Sequence, residues 1–245
     1  MGKYRRNRQR DDENKYEGIL LLDKPSGVTS HDVVDEVRKK LGMRRIGHGG
    51  TLDPLATGLL IVLVGKATTL FQRFSDYDKT YESVMRLGAE TSTGDSEGEV
   101  VKTGDAESVT EEAIRAVFSR FKGELLQTPP MVSALRHKGK RLYELAREGK
   151  EVSVPPRRIT VYENEIMNID MPSIAFRVRC SKGTYVRKLA QDIGEELGCY
   201  GHITAIRRTA IGPFALDKAI TIDQVDAQHL VPAATVRSML ADDNV

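Results

Sequence analysis

The chain has 245 residues, 40% hydrophobic and 29% charged, a balance that fits a globular domain with a sizeable core and excludes a disordered or fibrous chain. No apolar run approaches the roughly 20 residues of a membrane-spanning helix, and the first residues lack the apolar stretch of a secretory signal, so a cytoplasmic address is expected. The net charge of +2 is small, the two cysteines cannot build a disulfide framework, and the five histidines are scattered, so no metal site is expected.

In chain order, Met1 to Tyr16 is polar and net basic and reads as a mobile tail. Gly18 to Asp23 is an apolar run stopped by Asp23-Lys24-Pro25-Ser26-Gly27, the pattern of a buried strand ending in a turn. A helix follows, with Ser30 as its cap, Val33, Val34, Val37 and Leu41 as its apolar stripe, and Gly42 as its stop. Arg44 to Gly58 has no apolar period and reads as a loop, leading into a buried strand at Leu59 to Val64. Tyr81, Ser83, Met85 and Leu87 alternate with Glu82, Val84 and Arg86 and predict another strand.

Gly88 to Glu112 carries eight acids against Lys102 alone, a surface hairpin that should avoid phosphate. Glu111 to Phe121 predicts an amphipathic helix with Ser108 and Glu111 as a capping box. After Thr128-Pro129-Pro130 the chain turns basic, through Arg136, Lys138, Lys140, Arg141, Arg147 and Lys150, with a short helix at Arg141 to Glu148. The segment 128–157 reads as an excursion from the core. Ile174, Phe176, Val178 and Cys180 alternate with arginines in a further strand, and Ser181-Lys182-Gly183-Thr184 turns the chain into a helix that places Arg187 in its first turn. Strands interleaved irregularly with helices predict an α+β or mixed α/β architecture around one core. Basic patches segregated from acidic ones suit a polyanion bound on one face, although charge alone fits plain solvated surfaces equally well.

The segment Gly47-His48-Gly49-Gly50-Thr51-Leu52-Asp53-Pro54-Leu55-Ala56-Thr57-Gly58 concentrates glycines, a histidine and a carboxylate in one loop, a favoured place for chemistry. Two readings of Asp53 stand side by side: a cap on a helical turn with Pro54 at its first position, or a catalytic acid. A lone catalytic aspartate needs a cation to keep it ionised. Arg187 is a candidate, because a guanidinium stays charged and pairs with a carboxylate through two hydrogen bonds. Tyr81, at a strand start, reads first as packing.

GHGGTLDPLATG resembles the signature segment of the tRNA pseudouridine-55 synthase family, the TruB type. The likeness continues through ILLLDKPSGVTSHDVV at Ile19 to Val34, DKTYES at Asp78 to Ser83, TPPMVSALRHKGKRLYELAREG at Thr128 to Gly149, CSKGTYVRKLAQDIGEELGC at Cys180 to Cys199 and IRRTAIGPF at Ile206 to Phe214. The resemblance implies the pseudouridine synthase fold, a central mixed and largely antiparallel sheet flanked by helices. It implies Asp53 as the catalytic carboxylate, Tyr81 as the ring stacked on the target uracil and Arg187 as the partner of Asp53. Lys24 and His48 match positions that support the site and contact RNA. Residues 128–157, with Arg136, Lys138, Lys140 and Arg141, resemble a mobile clamp over an RNA stem-loop. Lys182 joins the RNA-binding set, and Ile206 matches the apolar wall of the base pocket.

The activity so implied is isomerisation of the T-loop uridine of tRNA to pseudouridine by base flipping, without cofactor or metal. A monomer with no obligatory protein partner is expected by default. Attack by Asp53 at the base and attack at the sugar both remain open; in the sugar route Tyr81 would serve as a base. The resemblance implies a catalytic domain over 17–222 and a short segment over 223–245, without the C-terminal RNA-binding module of the PUA type that many members carry. A guide-dependent synthase of the same superfamily and a T-arm-binding chaperone whose catalysis is dispensable are the alternative readings.

Overall fold

The structure is a computed structural model that describes residues 15–133, 135–137, 139–150 and 152–242, so most of the basic tail and Lys138 lie outside the described residues. It contains two compact units, Met1–Tyr77 with Arg208–Val245, and Asp78–Arg207.

The first unit opens with β1 (Gly18–Lys24), which leads into helix α1 (Ser30–Leu41). The stripe Val33, Val34, Val37 and Leu41 is buried as its spacing predicts. The cap is Thr29 rather than Ser30: Thr29 and Asp32 bond each other's backbone N–H groups reciprocally, and Ser30 is turned inward. Inside the stretch expected to be loop throughout lies β2 (Ile46–His48), followed by β3 (Thr57–Val64). Three residues are too few to show a period, and β2 exists because β3 offers its backbone to it, with Ile46 opposite Val64 and His48 opposite Val62. β1 pairs antiparallel with β3 along its whole length, from Gly18 and Val64 to Lys24 and Gly58. Both are buried nearly throughout, which explains their unbroken apolar runs. A 3₁₀ turn (Gly65–Leu70) then leads to α2 (Phe71–Asp76).

The second unit begins with β4 (Lys79–Leu87). The acidic stretch that follows is a hairpin of β5 (Ala89–Thr91) and β6 (Val100–Thr103). Helix α3 (Glu111–Arg120) is capped by Thr110, whose hydroxyl accepts from the Ala113 N–H, and not by Ser108. After β7 (Gly123–Gln127), the basic excursion folds as a small hairpin, β8 (Arg136–His137) and β9 (Lys140–Arg141), running into α4 (Leu142–Arg147). β10 (Arg157–Asp170) and β11 (Ser173–Cys180) form a long hairpin, and the antiparallel order is β4, β11, β10, β7. Phe118 of α3 meets Phe176 of β11 edge to face, with centroids 5.5 Å apart. Helix α5 (Val186–Glu196) follows, then β12 (Gly201–Ile211).

Within β12 the chain returns to the first unit and adds β13 (Phe214–Ala215), β14 (Val231–Pro232) beside β1, and α6 (Ala233–Asp242). Ile211, Phe214, Val236 and Leu240 join Ile19, Leu59, Ile61, Leu63 and Phe74 in one core cluster. The protein is thus a mixed α/β chain with largely antiparallel pairing and flanking helices. Among the described residues, no helix is long and apolar enough to cross a membrane.

Both cysteines are free and buried. Burial pushes the Cys180 thiol up to about 12, and only the thiolate is a good nucleophile. Cys180 is therefore expected to resist iodoacetamide at pH 8 in the folded protein and to react once the chain is unfolded, as peptide mass spectrometry would show. The unfolded chain ionises this thiol near its ordinary value of 9.0. The stability it contributes is thus complete below that pH and lost as pH rises toward 12.

Candidate active site

The first unit builds the Asp53 loop from β2 to β3. Gly49 runs so close to α2 that a Cβ there would lie 2.7 Å from that of Phe74. Gly58, at φ +97°, faces the Arg208 backbone, where an added Cβ would collide with the carbonyl. Asp53 is half-buried and lies in no helix. Its carbonyl accepts from the Ala56 N–H at 3.1 Å, closing a turn with Pro54 at the second position. Helix capping is therefore not its role.

The loop is tied down from several sides. Lys24 is fully buried, and its ammonium donates to the carbonyls of Pro25, Val28 and Pro54 at 2.8, 2.7 and 3.2 Å. It supports the loop from within. The Gly27 N–H also donates to the Pro54 carbonyl. Ser30 bonds both backbone groups of Leu52. Arg208 reaches the carbonyls of Gly50, Thr51 and Leu59. His48 ends β2 and is half-buried.

The second unit holds Tyr81 and Arg187. Tyr81 stands opposite Val178 in the ladder of β4 and β11, half-buried on the face it shares with Ser83 and Met85. Arg187 lies in the first turn of α5 and is 3% exposed. Its Nε sits 3.6 Å from Oδ2 of Asp95, itself 4% exposed, and its two terminal nitrogens donate to the carbonyls of Thr93 and Val132. The other carboxylate oxygen of Asp95 accepts from the Thr93 hydroxyl and the Glu97 N–H. A guanidinium so enclosed cannot swing away and leaves little freedom to the groups around it.

Sequence reasoning counted Asp95 only as one acid among eight, and no local signal separates it from its neighbours. Gln127 was also missed. Its side chain bonds both backbone groups of Tyr185, the residue that starts α5, at 2.8 and 3.1 Å, and so anchors the turn that carries Arg187.

The remaining candidates are spread over the second unit. Lys182 is exposed in the turn before α5, and Ile206 is buried on β12. Arg136 and Arg141 are backbone register partners in the small hairpin. Lys140 is exposed and pairs with Glu148 at 2.9 Å. Lys150 and Lys140 together hold the Glu148 carboxyl down to about 2.

Residues 38–186 match the family model described as TruB family pseudouridylate synthase (N terminal domain), and residues 187–242 match that of the tRNA pseudouridylate synthase B C-terminal domain. The chain is 50% identical over 211 residues to a tRNA pseudouridine synthase B of Burkholderia pseudomallei (strain 668), covering 86% of this chain and 70% of the relative. It is 50% identical over 214 residues to a protein of the same name from Opitutus terrae, covering 87% and 89%. Among solved structures it is similar to a chain of an archaeal box H/ACA sRNP Nop10-Cbf5 complex, with a TM-score of 0.63 and 32% identity over 84% of this chain. It is similar also to a chain of a Cbf5-Nop10-Gar1 complex, at a TM-score of 0.68 and 32% identity over 91%. The match spans 52% and 62% of those two chains.

Proposed function

This chain belongs to the TruB family of pseudouridylate synthases, and from that premise we propose that it converts the uridine at position 55, in the T loop of tRNA, to pseudouridine. The observation that carries the reading is the 50% identity, over most of both chains, to proteins named tRNA pseudouridine synthase B. We place the reaction in the cytoplasm and assign it to a monomer without an obligatory protein partner.

The reaction is an isomerisation. The bond from ribose C1′ to uracil N1 breaks, the base turns, C1′ bonds to C5, and the hydrogen on C5 leaves as a proton while N1 gains one. Asp53 is the nucleophile, carried on a loop whose backbone is fixed at several carbonyls. Arg187 supplies a fixed positive charge for the reaction, a role suited to a guanidinium buried against Asp95. Tyr81 stacks on the flipped uracil, and base–aromatic stacking of about 1–3 kcal/mol offsets part of the unstacking cost. Residues 128–157 clamp the stem-loop with their basic side chains, supported by the excess of bases there.

The test is tritium release from a T-arm hairpin labelled at uracil C5, with the purified chain and no guide RNA. Release establishes the synthase reading. Salt-sensitive binding without release, on hairpin and full-length tRNA alike, would favour the chaperone reading. Tyr81 is probed in the same assay. Tyr81→Phe keeps the stacking ring and loses the phenol, so it is expected to bind the hairpin as wild type does and to turn over about 10²-fold more slowly. Equal turnover would remove the phenol from the chemistry.

A further inference from the structure

We propose that Ser30 and Arg208 are positioning residues that set the backbone on which Asp53 is presented. The inference rests on the synthase reading above and goes beyond it, because neither residue is a reacting group.

Serine at the start of a helix ordinarily serves that helix. At α1 this task is taken by Thr29, which forms the capping box with Asp32. The Ser30 hydroxyl, in a residue 2% exposed, turns instead to Leu52, accepting from its N–H at 2.8 Å and donating to its carbonyl at 3.1 Å. One hydroxyl therefore holds both backbone groups of the residue before Asp53. The Leu52 carbonyl belongs to the peptide plane that supplies the Asp53 nitrogen, so this pair of bonds sets where Asp53 begins.

Arg208, 1% exposed, acts on the flanks. Its Nε donates to the Leu59 carbonyl at 2.8 Å, and its terminal nitrogens donate to Thr51 at 3.3 Å and Gly50 at 3.1 Å. One planar fork thus ties the beginning of the loop to strand β3 at its end, a geometry that lysine cannot reproduce. On the far side of Asp53, Pro54 restricts its own φ and disfavours helical angles at Asp53. The backbone on both sides is therefore fixed. A misplacement of about 1 Å costs on the order of 10²-fold in rate when a reacting group must meet its target.

Maximal single-turnover tritium release at saturating enzyme, hairpin affinity and thermal unfolding test the proposal in wild type, Ser30→Ala, Arg208→Lys and Asp53→Asn. Rates are taken well below each unfolding midpoint, so that loss of folded protein does not enter. Ser30→Ala removes one oxygen and is the variant that folds if Arg208→Lys does not. Both positioning variants are expected to lose about tenfold to 10²-fold in maximal rate, with hairpin affinity within about twofold of wild type. An unchanged maximal rate in folded Ser30→Ala, or weaker binding at an unchanged maximal rate, would overturn the positioning role. The reading beneath it fails separately, and visibly, if wild type releases no tritium or if Asp53→Asn releases it as fast as wild type.

Discussion

Asp53→Asn is expected to lower tritium release from the C5-labelled hairpin by about four orders of magnitude or more, the scale on which loss of a nucleophile is felt. Asparagine matches aspartate in size and keeps an acceptor oxygen, but it has neither the charge nor the nucleophilicity of a carboxylate. The loop does not depend on the Asp53 side chain in the bonds described above. Lys24, Ser30 and Arg208 hold it through the backbone of its neighbours. The substitution should therefore leave the backbone bonds of the loop in place, with hairpin affinity within about twofold of wild type. Binding lost in proportion to turnover would mean that Asp53 holds RNA rather than reacts with it.

The second large effect concerns the buried pair of Arg187 and Asp95. Arg187→Lys keeps the charge, yet one ammonium cannot occupy all the positions that the guanidinium fills beside Asp95 and at the Thr93 and Val132 carbonyls. Turnover is expected to fall about 10²–10³-fold with little change in hairpin affinity, because a displaced cation no longer stands where the proposed reaction needs it. Asp95→Asn should act in the same direction and less, about tenfold to 10²-fold, since the cation stays while its anchor is weakened. Arg187→Met is a different experiment. It leaves Asp95 buried without this cation, and a loss of about 3–5 kcal/mol in stability is expected, read as a lowered midpoint in denaturant. Equal losses in binding and turnover for Arg187→Lys would contradict this division of roles.

Much of this was legible where the physics is local. The apolar runs of β1 and β3, the stripe of α1 and the amphipathic pattern of α3 are properties of adjacent residues, and the structure has them where the spacing predicts. The loop bearing Asp53 stood out by its glycines, and the resemblance supplied a role for it. What stayed hidden depends on partners far along the chain. β2 is a strand only because β3 lies beside it. Ser30 looked like a cap because serine commonly is one, and nothing local says that Thr29 takes that place. Asp95, Gln127 and Arg208 owe their significance to contacts 92, 58 and 158 residues away, invisible to any window.

The discontinuous first unit bears on the order in which the protein can be completed during synthesis. Ile19, Leu21, Leu59, Ile61 and Leu63 leave the ribosome early, but the Ile211, Phe214, Val236 and Leu240 that finish their core cluster emerge last. The second unit is one uninterrupted stretch, Asp78–Arg207, with its sheet partners inside it, and it can close while the first still waits. The nascent chain therefore carries two of its most apolar strands unfinished through most of translation, a period in which exposed β-edges invite chaperones or aggregation. The loop that carries Asp53 acquires its Arg208 bonds only at the end of that wait, so it is among the last parts of the first unit to be set.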